Sequence, residues 1–153
     1  MPEDSRAPKQ IKVKSLDDYL EVMSKAVFQS GMSWKVIESK WPGTREAFSN
    51  FAIKKVADFD ERDFERLNQD TRVVRNYRKL MAVSHNARKI LALDKQHGSF
   101  KKYLRSFEDF EHAIMKMRED FKFMGPFGIY YFLYVVGEDV PTHEEFRKKY
   151  GKN

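Results

Sequence analysis

The stretch FKFMGPFGIYYFLYVVGEDVP, Phe121 to Pro141, decides how the rest of the chain is read. It sets Gly125, Pro126 and Gly128 between two apolar, aromatic-rich runs and closes on the acidic turn Gly137, Glu138 and Asp139. Proline is tolerated in the first helical turn, where its missing N–H would have no partner anyway, so a new helix is expected to start after Gly125. The stretch is then a helix, a tight turn and a second helix. The first N–H groups of that second helix are free, its dipole favours an anion, and glycine lets another backbone approach closely. Such a terminus can hold a phosphate, although a Gly-Pro connection between helices is usually only a connection.

Upstream, the pattern is helical throughout. Leu16, Tyr19, Leu20, Met23 and Val27 repeat at helical spacing after Ser15, which predicts an amphipathic helix ending near Gly31. Ser33 is expected to cap a short helix through Lys40, WPGT to form a turn, and Thr44 to cap a further helix through Phe51. Two short helices follow from Ile53, the second capped by Asp60. Val73, Tyr77, Leu80, Met81, Ser84, Ala87 and Leu91 then trace one stripe of a long helix, with Arg75, Arg78, Lys79, Arg88 and Lys89 mostly off it. Gly98 breaks this helix, Ser99 caps the next, and Phe110, Ile114, Met117 and Phe121 mark one more before the hairpin. No strand of period two and no repeat is found. The chain is therefore expected to be all-α, with eight to nine helices, a flexible arm over residues 1–14 and a single compact domain over residues 15–153. Among the aromatics, Phe28, Trp41, Phe48, Phe51 and Phe59 read as core, and Trp34 is kept open as a ligand contact.

Composition narrows the function classes. The 153 residues are 41% hydrophobic and 14% aromatic, enough for a sizeable core. The longest apolar run, Phe127 to Val136, is far shorter than a membrane span, and MPEDSRAPKQIKVKS lacks the apolar segment of a secretory signal. No membrane association and a cytoplasmic location are expected. There is no cysteine, so disulfides, thiolate nucleophiles and cysteine-based metal sites are excluded. His85, His97, His112 and His143 are not spaced as a helical metal pair, so no metal and no cofactor is expected. The net charge of +6 is concentrated: Arg72 to Arg105 carries ten Lys and Arg against the single acid Asp94. That segment is +9, and +6 less +9 leaves −3 for the remainder. Such segregation favours a polyanion partner, with a solvated helical surface as the equally open reading of the same charges.

Three stretches in this order, AVFQSGMSW (Ala26 to Trp34), DERDFERLNQDTRVVRNYRKLMAVSHNARKI (Asp60 to Ile90) and FKFMGPFGIYYFLYVVG (Phe121 to Gly137), resemble the DNA-3-methyladenine glycosylase I family. That family lies within the helix-hairpin-helix base-excision DNA glycosylases. The resemblance implies a two-lobed all-α fold and hydrolysis of the N-glycosidic bond of a flipped, alkylated purine in double-stranded DNA, by a monomer. It implies a base pocket at Trp34, Gln29 and Phe28, and DNA contacts at Lys122, Gly125, Gly128 and Ile129, with Arg75, Arg88 and Lys89 adding charge. The chain departs from the family in three ways. It has no N-terminal aromatic segment, none of the family's zinc-clip cysteines, and Ala26 where the family carries an acid that contacts the methylated base.

In the wider superfamily a catalytic aspartate follows the hairpin in a V-P-x-x-D context, and this chain reads Val140, Pro141, Thr142, His143, Glu144. Glu144 is thus the candidate catalytic carboxylate. The competing reading is that Thr142 caps the last helix while Glu144 and Glu145 complement its dipole. Ile129 stands nearest the lysine that glycosylase/lyases use, so a monofunctional enzyme is expected. The alternative from another class is a helix-hairpin-helix DNA-binding module without catalysis.

Overall fold

The computed structural model describes residues 7–151. Among these, nine α-helices and one 3-10 turn form an all-α fold: α1 Leu16–Gln29, α2 Trp34–Ala47, α3 Ile53–Ala57, α4 Glu61–Asn68, α5 Tyr77–His97, α6 Phe100–Leu104, α7 Phe110–Asp120, α8 Pro126–Val135 and α9 His143–Tyr150. Of the caps expected from sequence, Ser33, Asp60 and Ser99 form, whereas Ser15 makes no side-chain cap bond. Ser33, Ser99, Asp109 and Thr142 each accept a backbone N–H three residues on, and Asp60 with Asp63 forms a reciprocal capping box. Gly98 ends α5 in the left-handed region at φ 88°, which glycine adopts without penalty.

The 21-residue α5 is the axis of the molecule and packs on α1, α3 and α6, while α1 also packs on α8 and α2. The buried apolar side chains other than Phe146 form one cluster, with Phe28, Phe48, Phe51, Phe100, Tyr103 and Phe132 among the largest.

Two expectations change. The predicted turn at WPGT is helix: α2 runs unbroken through Pro42 and Gly43. The carbonyl that Pro42 cannot serve belongs to exposed Glu38, where water can replace the missing N–H. The Thr44 hydroxyl instead donates to the Lys40 carbonyl at 2.8 Å. Gly43 is required by packing, because a Cβ there would come within 2.9 Å of the Arg72 side chain. The chain turns later, at Ser49–Phe51, where three non-glycine residues take φ of 55–56° and Phe51 stacks on Phe48 and Trp41.

The second correction concerns the N-terminal arm. Residues 10–14 are pinned: Ile11 N–H donates to the Val135 carbonyl at 2.9 Å, the Gln10 amide to the Tyr134 carbonyl, and Lys14 N–H to Asp18. They satisfy the last carbonyls of α8, which a helix end leaves without partners. Residues 1–6 lie outside the described residues.

A buried pair ties α6 to α7, the first helix of the hairpin. The Tyr103 hydroxyl donates to Asp120 at 2.6 Å, and both side chains are buried. Burial, then the bond to Asp120 and its charge, push the Tyr103 pKa well above its usual 10. The folded state keeps this proton where the unfolded chain has lost it, so the stabilisation is complete below about pH 10 and is lost as pH rises above it. Tyr103→Phe is expected to cost about 1–3 kcal/mol at neutral pH. It should also flatten the alkaline fall of stability by up to about 1.4 kcal/mol per pH unit, one proton's worth, read from urea unfolding at a series of pH values.

Candidate functional site

The second half of the hairpin, α8, is the element on which the predicted site residues converge. Pro126 is its first residue and no side chain caps it, so the Phe127 and Gly128 N–H groups are left for an external acceptor. Gly125, its N-cap, is exposed, and the space where a side chain would stand is open. Gly128 has a different task. A Cβ there would stand 3.7 Å from the Ala26 Cβ and 3.5 Å from the Met124 sulfur, ordinary van der Waals distances, so Gly128 marks where α8 passes over α1 at Ala26.

That crossing brings the AVFQSGMSW segment to the hairpin. Trp34 opens α2 on its Ser33 cap and stacks on Tyr131 of α8, ring centroids 4.7 Å apart and planes at 37°. It stays 37% exposed, so part of the side chain still faces solvent. Burial, followed by the nearby Glu38 and Glu21 carboxylates, pushes the Tyr131 pKa well up, and the phenol is neutral at physiological pH. Gln29 ends α1 half-buried, its amide donating to the Met32 carbonyl at 3.1 Å and closing the 29–32 turn. Its Oε1 remains for an external donor.

Two predicted site residues are displaced from their roles. Phe28 does not face a pocket: it is 1% exposed, packed edge-on against Trp41 and Phe48. In a helix residues 28 and 29 point about 100° apart, so a segment that turns Gln29 outward sends Phe28 into the core. Ile129 is fully buried and its N–H is bonded to the Gly125 carbonyl, so neither its side chain nor its amide is open to DNA.

The cations sort themselves as well. Arg75 and Lys122 are exposed, and Lys89 lies 3.8 Å from Asp120. Arg88 is exposed, yet Nη1 donates to the Ala57 carbonyl at 3.2 Å and to the Ser84 hydroxyl at 2.8 Å, holding the end of α3. Lys79, assigned to the solvent face from sequence, is buried. Its ammonium donates to the Phe28 and Ser30 carbonyls at the end of α1, and burial holds its pKa below the usual lysine value.

Glu144 sits exposed in the first turn of α9, beside the capping box of Thr142 and Glu145. Helix α9 packs on α8 through Phe127, Tyr130 and His143, whereas Trp34 packs on Tyr131, about 100° further round the helix. Helix α9, which carries Glu144, and Trp34 thus pack on adjacent sides of α8. A separate cleft of about 750 Å³ opens between the 104–113 segment and the 137–141 loop, bridged by the Arg105–Glu138 ion pair, and contains none of Trp34, Gln29 or Glu144. Among the described residues no group of His, Asp and Glu could hold a metal ion, and no helix is long and apolar enough to cross a membrane.

Sequence reasoning missed Tyr131, Asn86 and Phe123. Only Tyr131 carried a signal, lying one turn after Gly128 and so on the face that meets α1.

These elements define an all-α helix-hairpin-helix protein with an uncapped hairpin helix and a half-exposed aromatic pair beside it. Residues 11–120 match the family model described as methyladenine glycosylase, and the chain belongs to that family. It is 33% identical over 86 residues to DNA-3-methyladenine glycosylase 1 of Escherichia coli (strain K12), covering 56% of this chain and 46% of that protein. It is 34% identical over 79 residues to the DNA-3-methyladenine glycosylase of Haemophilus influenzae, covering 52% of this chain and 43% of that protein. The matched stretch thus spans about half the length of these curated relatives. In three dimensions it is similar to 3-methyladenine DNA glycosylase I from Staphylococcus aureus, with a TM-score of 0.73 at 25% identity over 84% of this chain and 80% of the other.

Proposed function

We propose that this protein is a monofunctional DNA glycosylase that hydrolyses the N-glycosidic bond of an alkylated purine turned out of double-stranded DNA, as a monomer, in base excision repair. The observation that carries this reading is the Trp34–Tyr131 pair: a partly exposed indole, held beside a helix start with uncapped amides. Alkylation of a purine ring nitrogen makes the base cationic, and a cation is attracted to the face of an indole. Turning a base out costs a few kcal/mol and is easiest where pairing is already damaged. The hairpin amides of Phe127 and Gly128, with Lys122 and Arg75, would hold phosphate, and Gln29 would meet the edge of the base.

In the hydrolysis the C1′–N bond breaks with its electron pair passing to the purine, which departs neutral and so needs no general acid. Water bonds to C1′ and gives up a proton. A carboxylate near the sugar stabilises its developing positive charge, and Glu144 is the candidate. Because Glu144 is exposed, its interaction is screened to about 1 kcal/mol, so Glu144→Gln is expected to slow single-turnover excision by up to about fivefold. An unchanged rate would assign Glu144 to the α9 dipole alone.

The direct test of the function is release of free base from duplexes carrying 3-methyladenine or 7-methylguanine. Folded protein in excess that releases neither would remove the enzymatic reading. One observation favours a DNA-binding module without catalysis: Ala26 lies packed against Gly128, leaving no acid at that position to recognise the base. Salt-dependent duplex binding without base release is what that reading expects.

A further inference from the structure

Asn86, in the middle of α5, is 1% exposed and uses both polar ends on one residue of the hairpin. Its Oδ1 accepts the Lys122 N–H at 2.9 Å and its Nδ2 donates to the Lys122 carbonyl at 3.1 Å. Two bonds to one residue fix its orientation as well as its position. Phe121 and Met124, on either side, are buried in the core. The loop is therefore held at 121, 122 and 124, and the residue left over is Phe123.

Phe123 carries two costs at once. Its φ of 58° is in the left-handed region, which a bulky L-residue rarely adopts. Its ring is 39% exposed, so burial only partly offsets that strain. A loop so firmly held could have turned this aromatic inward or carried glycine. Exposed Lys122 precedes it, and the uncapped start of α8 follows. An exposed aromatic between a lysine and uncapped amides fits a nucleic-acid duplex, phosphates meeting the lysine and amides, and the ring meeting sugar or base.

We propose that Phe123 is a duplex-contacting residue of the hairpin and that Asn86 is the positioning residue that displays it. This rests on the DNA-binding reading given above and deepens it by naming a contact that charge alone would not supply.

Binding of a labelled duplex containing an abasic-site analogue, titrated over a salt series, tests the assignment. Glycine accepts φ near 58° without strain, so Phe123→Gly is expected to stay folded, the relieved strain offsetting part of the lost burial. Its affinity should nevertheless fall about five- to tenfold with the salt slope unchanged, because a lost ring releases no counterions. Lys122→Ala should lower that slope by about one. Asn86→Ala should show an affinity loss like that of Phe123→Gly, and combining the two should add little, the mark of residues acting as one unit. If Asn86→Ala does not fold, Phe123→Gly alone carries the test. Wild-type affinity in Phe123→Gly would overturn the proposal and leave DNA binding standing, whereas a wild-type protein that binds no duplex would overturn the DNA reading and this contact with it.

Discussion

Trp34→Ala is expected to slow excision of an alkylated purine about 10- to 100-fold while leaving the melting temperature nearly unchanged. Stacking a base on an aromatic side chain contributes roughly 1–3 kcal/mol, and a cationic base adds attraction to the indole face. Where the contact forms only after the base has left the helix, its loss appears in the rate of the extruded complex and little in binding of undamaged duplex. The stability side follows from where Trp34 stands. It opens α2 on the Ser33 cap, is more than a third exposed, and its one ring partner is Tyr131, so truncation opens no closed cavity. Single-turnover excision, duplex affinity and thermal melting of the same preparation check all three statements. A rate within twofold of wild type on every alkylated substrate would remove Trp34 from the base contact. Trp34→Phe, which keeps a ring at that position, should recover most of the loss.

The helices were legible in the sequence wherever a cap and an apolar stripe agreed. Ser99, Asp60 and Gly98 stand where their chemistry requires, because capping is a local interaction between residues three apart or fewer. WPGT failed for the converse reason. Proline and glycine are read as turn formers from their own backbone preferences, yet the burial of Trp41 and Phe48 and the close approach of Arg72 to Gly43 carried the helix through them. The site was legible only as a set of neighbours along the chain. That Trp34 meets the hairpin is a contact with Tyr131, a residue about a hundred positions away in the chain. The bond from Asn86 to Lys122 spans 36 positions and has no periodic trace at all. Charge misled in one place, since Lys79 counts toward the basic segment by composition but faces inward to the end of α1.

Phe28→Ala is expected to cost about 3–5 kcal/mol of stability, a large part of the roughly 5–15 kcal/mol available to a protein of this size. Phe28 lies six residues before Trp34 in the same motif, and the contrast between the two is set by burial. Its ring is 1% exposed, with the rings of Trp41 and Phe48 packed edge-on against it at centroid distances of 6.3 and 5.9 Å. Those rings belong to a layer continuing through Phe51 and Phe59, and stacked aromatics cannot shift singly to fill a gap. The truncation also reaches the Phe28 carbonyl, one of two that the buried Lys79 ammonium holds at the end of α1. Loosening it frees the 29–34 turn that carries Gln29 and Trp34 toward the hairpin. The melting temperature should fall by roughly 6–20 °C, measured by calorimetry or circular dichroism. Well below that lowered midpoint, excision per folded molecule should stay within a few-fold of wild type, because Phe28 is out of reach of a base. A variant that melts like the wild type but loses excision would return Phe28 to the pocket and contradict its place in the core.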